Sequence, residues 1–198
     1  MSRSRSKGWV TVAAIAAAAV FGMSASGAHA HAAVGCGHEL WDLKTLSDPR
    51  RNLIYLEPVR TTVPEINARR PPRRTPTLRS RGFERHIWRV TAQITEFKLE
   101  PDSDIHMILF GDGAYMTAEI PSPPCLSRRT RLRRAIVNAR QLFEQRCGTA
   151  ANLWQSLGAV VEIDGVGFWD FPHGQRGHAQ NYAELHPIVR IRFIAGCE

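Results

Sequence analysis

Lysine is nearly missing from this chain. Only Lys7, Lys44 and Lys98 occur, although lysine and arginine together number 26 in 198 residues and the formal net charge is +8. The basic character is therefore guanidinium, a rigid planar fork suited to phosphate, sulfate and carboxylate groups. GC-rich coding would give the same arginine surplus without any anionic partner. Long apolar runs are scarce too. Beyond residues 10–21, no stretch approaches the ~20 residues that a membrane-crossing helix needs, so the mature chain is expected to carry none. Cysteine is limited to Cys36, Cys125, Cys147 and Cys197, with no CxxC or CxxH spacing, which excludes the common structural zinc sites. The Gly-x-Ser-x-Gly elbow, the phosphate-binding loop and His-Glu-x-x-His are also missing, and with them the best-marked hydrolase and nucleotide-binding signatures.

What is present begins with an export signal. Arg3, Arg5 and Lys7 precede the short apolar run 10–21, and Ala28-His29-Ala30 has the small-x-small pattern of a cleavage site. Residues 1–30 thus read as a signal peptide and His31 as the mature start, which places the protein in the periplasm or outside the cell. Its removal lowers the formal net charge from +8 to about +5. An even number of cysteines in an exported chain implies disulfides. Of the three pairings, we expect Cys125–Cys147, bracketing a helix, and Cys36–Cys197, tying the two ends. Lipidation at Cys36 is the competing reading, but that residue lies far beyond the apolar run.

Residues 31–82 read as an N-terminal extension. Within it, 52–58 is a short strand candidate, and Thr62 with Pro64 marks a helical turn. Residues 69–82 (RRPPRRTPTLRSRG) read as a solvated connection that could also touch an anionic polymer. Residues 83–198 form the main domain. Trp88, Val90, Ala92 and Ile94 alternate with polar residues, as in a half-buried strand. Strands at 105–110 and 115–120 follow, joined by Gly111-Asp112-Gly113. Residues 127–146 form the one long helix, with Ser127 as cap, Leu132, Ile136, Ala139 and Phe143 on its apolar face, and Gly148 at its end. Two last strands lie at 157–163 and 185–194, with Gly165 and Gly167 marking a bulge. The order β-β-β-α-β-β predicts an all-β domain with one helix, a five-stranded OB-fold-like barrel. The alternative is an α+β sandwich.

Several segments resemble a group of exported bacterial proteins of unknown function. They are Cys36-Gly37-His38-Glu39-Leu40-Trp41 with Lys44-Thr45 and Ser47-Asp48, then Asp102-Ser103-Asp104-Ile105-His106 and Ala118-Glu119-Ile120-Pro121. Gly165 to Phe171, His173-Gly174-Gln175 and Glu184-Leu185-His186-Pro187 complete the match. Members of that group often read Gly-Val-Ala-Pro-Asn where this chain has Gly177-His178-Ala179-Gln180-Asn181. The resemblance implies export and a domain spanning the mature chain, and it carries no assigned reaction.

The chemistry concentrates in the loops around 100–106 and 170–186. Asp104, His106, Glu119, Asp170, His173, Asn181, Glu184 and His186 are the candidate binding or metal-ligating residues. Alternation places His106, Glu119 and His186 opposite the apolar faces of their strands, and hence outside the deep core. Carboxylates beside imidazoles hold a divalent metal or exchange protons. The expected function is binding of an anionic or polar ligand, nucleic acid or acidic glycan, through these loops. One alternative is a metal-dependent, nuclease-like hydrolase, for which Asp102-Ser103-Asp104 resembles the acidic turn of staphylococcal-nuclease-like enzymes. The other is a purely structural envelope protein, in which these residues only cap turns and pair arginines.

Overall fold

The structure is a computed structural model and describes residues 35–197. The predicted signal peptide lies outside the described residues. Strand β2 (His86–Leu99) is the spine. Its alternating apolar residues Trp88, Val90, Ala92 and Ile94 are all buried. Along one edge it pairs antiparallel with β5 (Gln155–Trp169). Its other edge is shared between two strands. The first part takes β1 (Tyr55–Arg60) in parallel, and the second takes β3 (Ile105–Gly111) antiparallel. A two-residue turn leads from β3 into β4 (Ala114–Ile120), and both its residues, Asp112 (φ 51°) and Gly113 (φ 81°), adopt the left-handed conformation such a hairpin requires.

β6 (Ala183–Ala195) lies antiparallel to β5 and closes the ring against β4 through two parallel pairs, Thr117↔Glu184 and Ala118↔Leu185. The pairing order is β1-β2-β3-β4-β6-β5, with β2 also joined to β5. The result is a mostly β fold with one long helix and a six-stranded sheet. It departs from the five-stranded OB-fold-like barrel expected above, because β1 joins as a sixth strand and the short β4–β6 closure leaves the ring irregular. Gly165 and Gly167 sit at shifts of the β5–β6 register, as predicted. A Cβ on Gly167 would lie 2.4 Å from Phe83 O, so the residue must be small for β5 to pass that close to the 83–85 turn.

Two short helices precede β2: α1 (Trp41–Lys44) and α2 (Val63–Asn67). α2 carries the expected Thr62 cap, completed by Glu65 as a reciprocal capping box. The long helix is α3 (Arg133–Cys147), with Ile136, Ala139 and Phe143 buried. It starts later than the Ser127 cap predicts. The Ser127 hydroxyl accepts from Arg129 N in a preceding turn, and Leu132 adopts φ 60° before the helix begins. Arg131, in the turn before α3, donates to the carbonyls of Arg51 and Ile54 and so tethers the N-terminal segment. No helix among the described residues is long and apolar enough to cross a membrane.

The disulfide pairing differs from expectation. The bonds are Cys36–Cys125 and Cys147–Cys197, and no cysteine is free. Both expected pairs, Cys125–Cys147 and Cys36–Cys197, are therefore wrong. Cys147 ends α3, which packs on β6, and the chain leaving β6 brings Cys197 beside it; Arg146 Nε donates to Cys197 O at 2.8 Å. Cys125 follows β4, where the N-terminal segment passes and Gly35 O lies 3.8 Å from its sulfur. Each flank of the α3 region is stapled to one end of the domain. Non-reducing peptide mapping is expected to recover these two linkages. The double variant Cys147→Ser/Cys197→Ser should lose about 2–5 kcal/mol in urea unfolding.

Candidate functional site

Strand alternation builds the site. His106 on β3 sits directly opposite Glu119 on β4. Thr117, two residues before Glu119 on the same face, pairs with Glu184 on β6, and His186 is two residues further along that face. Asp104 immediately precedes β3 on the His106 side. The outward faces of three strands therefore deliver Asp104, His106, Glu119, Glu184 and His186 to one place.

That face is not solvated. Asp104, His106 and His186 have no exposed surface and Glu119 and Glu184 are 2% exposed, which corrects the expectation that His106, Glu119 and His186 avoid the interior. Three groups cover them. Lys44 reaches from α1 to 5.5 Å from the Phe168 ring. Phe168 packs edge-on against His186 at 5.8 Å, and Trp154 packs edge-on against His106 at 5.3 Å.

Glu119 is the hub. His106 Nδ1 lies 2.7 Å from its Oε1, and His186 Nδ1 lies 3.0 Å from its Oε2. The other ring nitrogen of His186 is 3.2 Å from Asp104 Oδ2. The His186 contacts are within ion-pair range but are poorly aligned for hydrogen bonding. Both nitrogens of His186 and both carboxylate oxygens of Asp104 have no hydrogen-bond partner among the described residues. His106 Nε2 and Glu184 Oε2 are in the same condition.

The electrostatics follow from burial and proximity. Burial alone would raise the Glu119 carboxyl, but the close imidazoles of His106 and His186 hold it well below the usual carboxylate range. Burial lifts Asp104 to about 6 against the opposing pull of His186. Burial, reinforced by the Glu119 and Asp170 carboxylates, pushes Glu184 well above the ordinary value. Burial disfavours charge on His186, yet Asp104 and Glu119 raise it to about 9. Burial likewise opposes charge on Lys44, and the carboxylates of Glu119, Glu184, Asp170 and Asp102 overcome it and raise its pKa. The centre thus pairs buried acids with two cations and can hold or exchange protons.

The remaining candidates separate from this contact set. Asp170 follows β5 and is buried, with neither carboxylate oxygen hydrogen-bonded; its field reaches Lys44 and Glu184. His173 is exposed, with Nε2 at 3.4 Å from Asp170 Oδ2. Asn181 donates to the carbonyls of Ile66 and Arg69 and accepts from Ala183 N, which pins the 170–182 loop to α2. Lys44, Trp154 and Phe168 were not anticipated. Lys44 had a signal: it is one of three lysines in an arginine-rich chain.

Beside Asp170 a cleft of about 390 Å³ opens between residues 71–75 and the 169–182 region. Arg73, Arg74, Trp169, Asp170, Gln180 and Tyr182 line it. Arg73 and Arg74 are exposed and make no ion pair among the described residues. By contrast, Arg190 and Arg192, further along β6, are ion-paired with Glu162, and Arg89 with Asp164.

No protein-family model matches the chain, and no curated protein matches it. Among solved structures it is similar to a Leishmania major Friedlin protein assigned as an aspartyl-tRNA synthetase, at 10% sequence identity and a TM-score of 0.41. That likeness covers 72% of this chain and 22% of the other, and carries no argument about activity.

Proposed function

We propose that this is an exported, disulfide-bonded, OB-like domain that binds an anionic, hydroxyl-rich ligand in the cleft between residues 71–75 and the 170–182 loop. The carrying observation is the pair Arg73 and Arg74, exposed, lining that cleft and making no ion pair among the described residues. Guanidinium groups recognise phosphate, sulfate or uronate oxygens, while Gln180 and Tyr182 offer acceptors and donors for hydroxyls. The OB-like assignment is supported by the order of three meandering strands, a helix and two strands, with the third and fifth strands of that set paired in parallel. The two disulfides support an oxidising compartment.

An acidic glycan is preferred over nucleic acid for a physical reason. Binding of single strands relies on exposed aromatic faces on which bases stack. Trp169, the largest aromatic at the cleft, is 5% exposed and offers little such surface. Titration with acidic oligosaccharides and with labelled single-stranded oligonucleotides, each at two salt concentrations, tests the reading. Saturable binding of the glycan is expected, weakened about tenfold or more for each of Arg73→Ala and Arg74→Ala. Preferential oligonucleotide binding would reverse the choice of ligand. No binding of either at low salt would leave the structural role of an envelope protein.

A further inference from the structure

The buried cluster is separate from the arginine-lined cleft and contains the elements of a cation site. Asp104, Glu119 and His186 each offer a ligand atom, and these atoms lie within 4.8 Å of one another. All three residues are more than nine-tenths buried. Dense burial of two carboxylates ordinarily demands that every oxygen be satisfied. Here both oxygens of Asp104 and both nitrogens of His186 lack a hydrogen-bond partner among the described residues, with His186 Nε2 3.2 Å from Asp104 Oδ2 and Nδ1 3.0 Å from Glu119 Oε2. Buried carboxylate oxygens without donors, set beside an imidazole nitrogen, are what a small cation would satisfy.

His106 adds an independent feature. Its Nδ1 lies 2.7 Å from Glu119 Oε1, which leaves Glu119 Oε2 facing His186. A histidine that anchors one oxygen of a carboxylate and so aims the other is the outer-sphere support common around metal ligands. Trp154 holds the His106 ring edge-on at 5.3 Å.

We propose that Asp104, Glu119 and His186 bind one borderline divalent cation of the Zn²⁺ or Mn²⁺ kind, with His106 as a positioning residue. Two carboxylates and one imidazole form a mixed oxygen and nitrogen set. That set suits these ions better than Ca²⁺, which prefers more oxygen ligands, or Cu⁺, which prefers sulfur. The dication takes the place of the His186 proton opposite the two carboxylates, and three protein ligands leave a coordination position open.

The test uses the full exported chain, purified with its disulfides intact, stripped with EDTA and titrated calorimetrically with ZnCl₂ or MnCl₂. One equivalent is expected to bind. Asp104→Asn should abolish binding, and His106→Gln should weaken it about 10–100-fold. The double variant Arg73→Ala/Arg74→Ala should bind the ion as wild type does, so loss of glycan binding and loss of metal binding are read separately. Far-UV circular dichroism verifies that each variant is folded. If Asp104→Asn does not fold, the wild-type Tm decides: a rise on adding either ion supports the site, and no rise with either overturns it. Equal binding by wild type and folded Asp104→Asn also overturns it.

Discussion

Replacing Asp48 with alanine is expected to remove about 3–5 kcal/mol of stability, because it strands a buried guanidinium. Arg79 has no exposed surface, although it belongs to the Arg- and Pro-rich run that reads as a solvated connection. Its Nε and Nη2 donate to Asp48 Oδ2 at 3.1 and 2.8 Å. The remaining donors reach Glu84 O and Leu43 O. Glu84, itself fully buried, accepts from Ser80 N and Trp169 N. The network fastens the N-terminal segment, the 79–84 turn and the end of β5 to one another. Without Asp48 the Arg79 charge remains in a dry site that its backbone acceptors do not neutralise. A loss of this size is a large share of the stability of an ordinary domain. Urea unfolding of Asp48→Ala measures it. The double variant Asp48→Ala/Arg79→Met should recover part of the loss, since an apolar chain of similar length leaves no buried charge. A loss below about 1 kcal/mol for Asp48→Ala, the range of exposed pairs, would show that water reaches Arg79.

The second large effect is a fall in stability as pH rises. Against the effect of burial, Asp104 and Glu119 raise His186 from 6.5 to about 9. A group whose folded pKa is raised contributes stability that is fully present below the unfolded value and is lost as pH rises through the folded one. The window is therefore pH 6.5 to about 9, and for this buried ring the loss is about 3 kcal/mol. Glu184, also raised, adds a loss of the same sign as pH rises. Glu119 has the opposite sign. Its pKa is lowered, so its contribution is present above its ordinary value of 4.5 and is lost as pH falls through the folded value. Urea midpoints measured with EDTA from pH 6 to pH 9 should decline, and His186→Gln should flatten the decline. A flat wild-type profile would mean that the buried carboxylates hold the proton in place of the imidazole.

Local rules located much of this molecule. Trp88, Val90, Ala92 and Ile94 announced a strand by alternation, Asp112-Gly113 announced a hairpin turn, and Thr62 announced a capped helix. Ile136, Ala139 and Phe143 announced the buried face of α3, and Gly165 and Gly167 the irregularity of β5. Each is a statement about residues close in sequence, and each follows from backbone geometry. The eight candidate residues were also picked by chemistry and spacing alone. Alternation correctly put His106, Glu119 and His186 on the faces opposite the apolar side chains.

What covers a face is decided by segments distant in sequence, and there the local rules ended. On β6, His186 and Arg192 both lie away from the apolar face, yet one is fully buried and the other remains half exposed beside Glu162. The difference is that Lys44, Trp154 and Phe168 close over one end of the sheet and, among the described residues, nothing comparable closes over the other. The burial of Arg79 arose in the same way, from α1 and the 83–85 turn meeting around it. So did the cysteine pairing, which required knowing that the end of β6 returns to α3 and that the N-terminal segment passes β4. Sequence by itself determined the export signal pattern, the strands and the chemical groups available. The tertiary structure alone decided which of those groups lose their water, because desolvation depends on non-local packing. That loss separates an exposed ion pair such as Arg190–Glu162 from a buried centre such as Asp104–Glu119–His186.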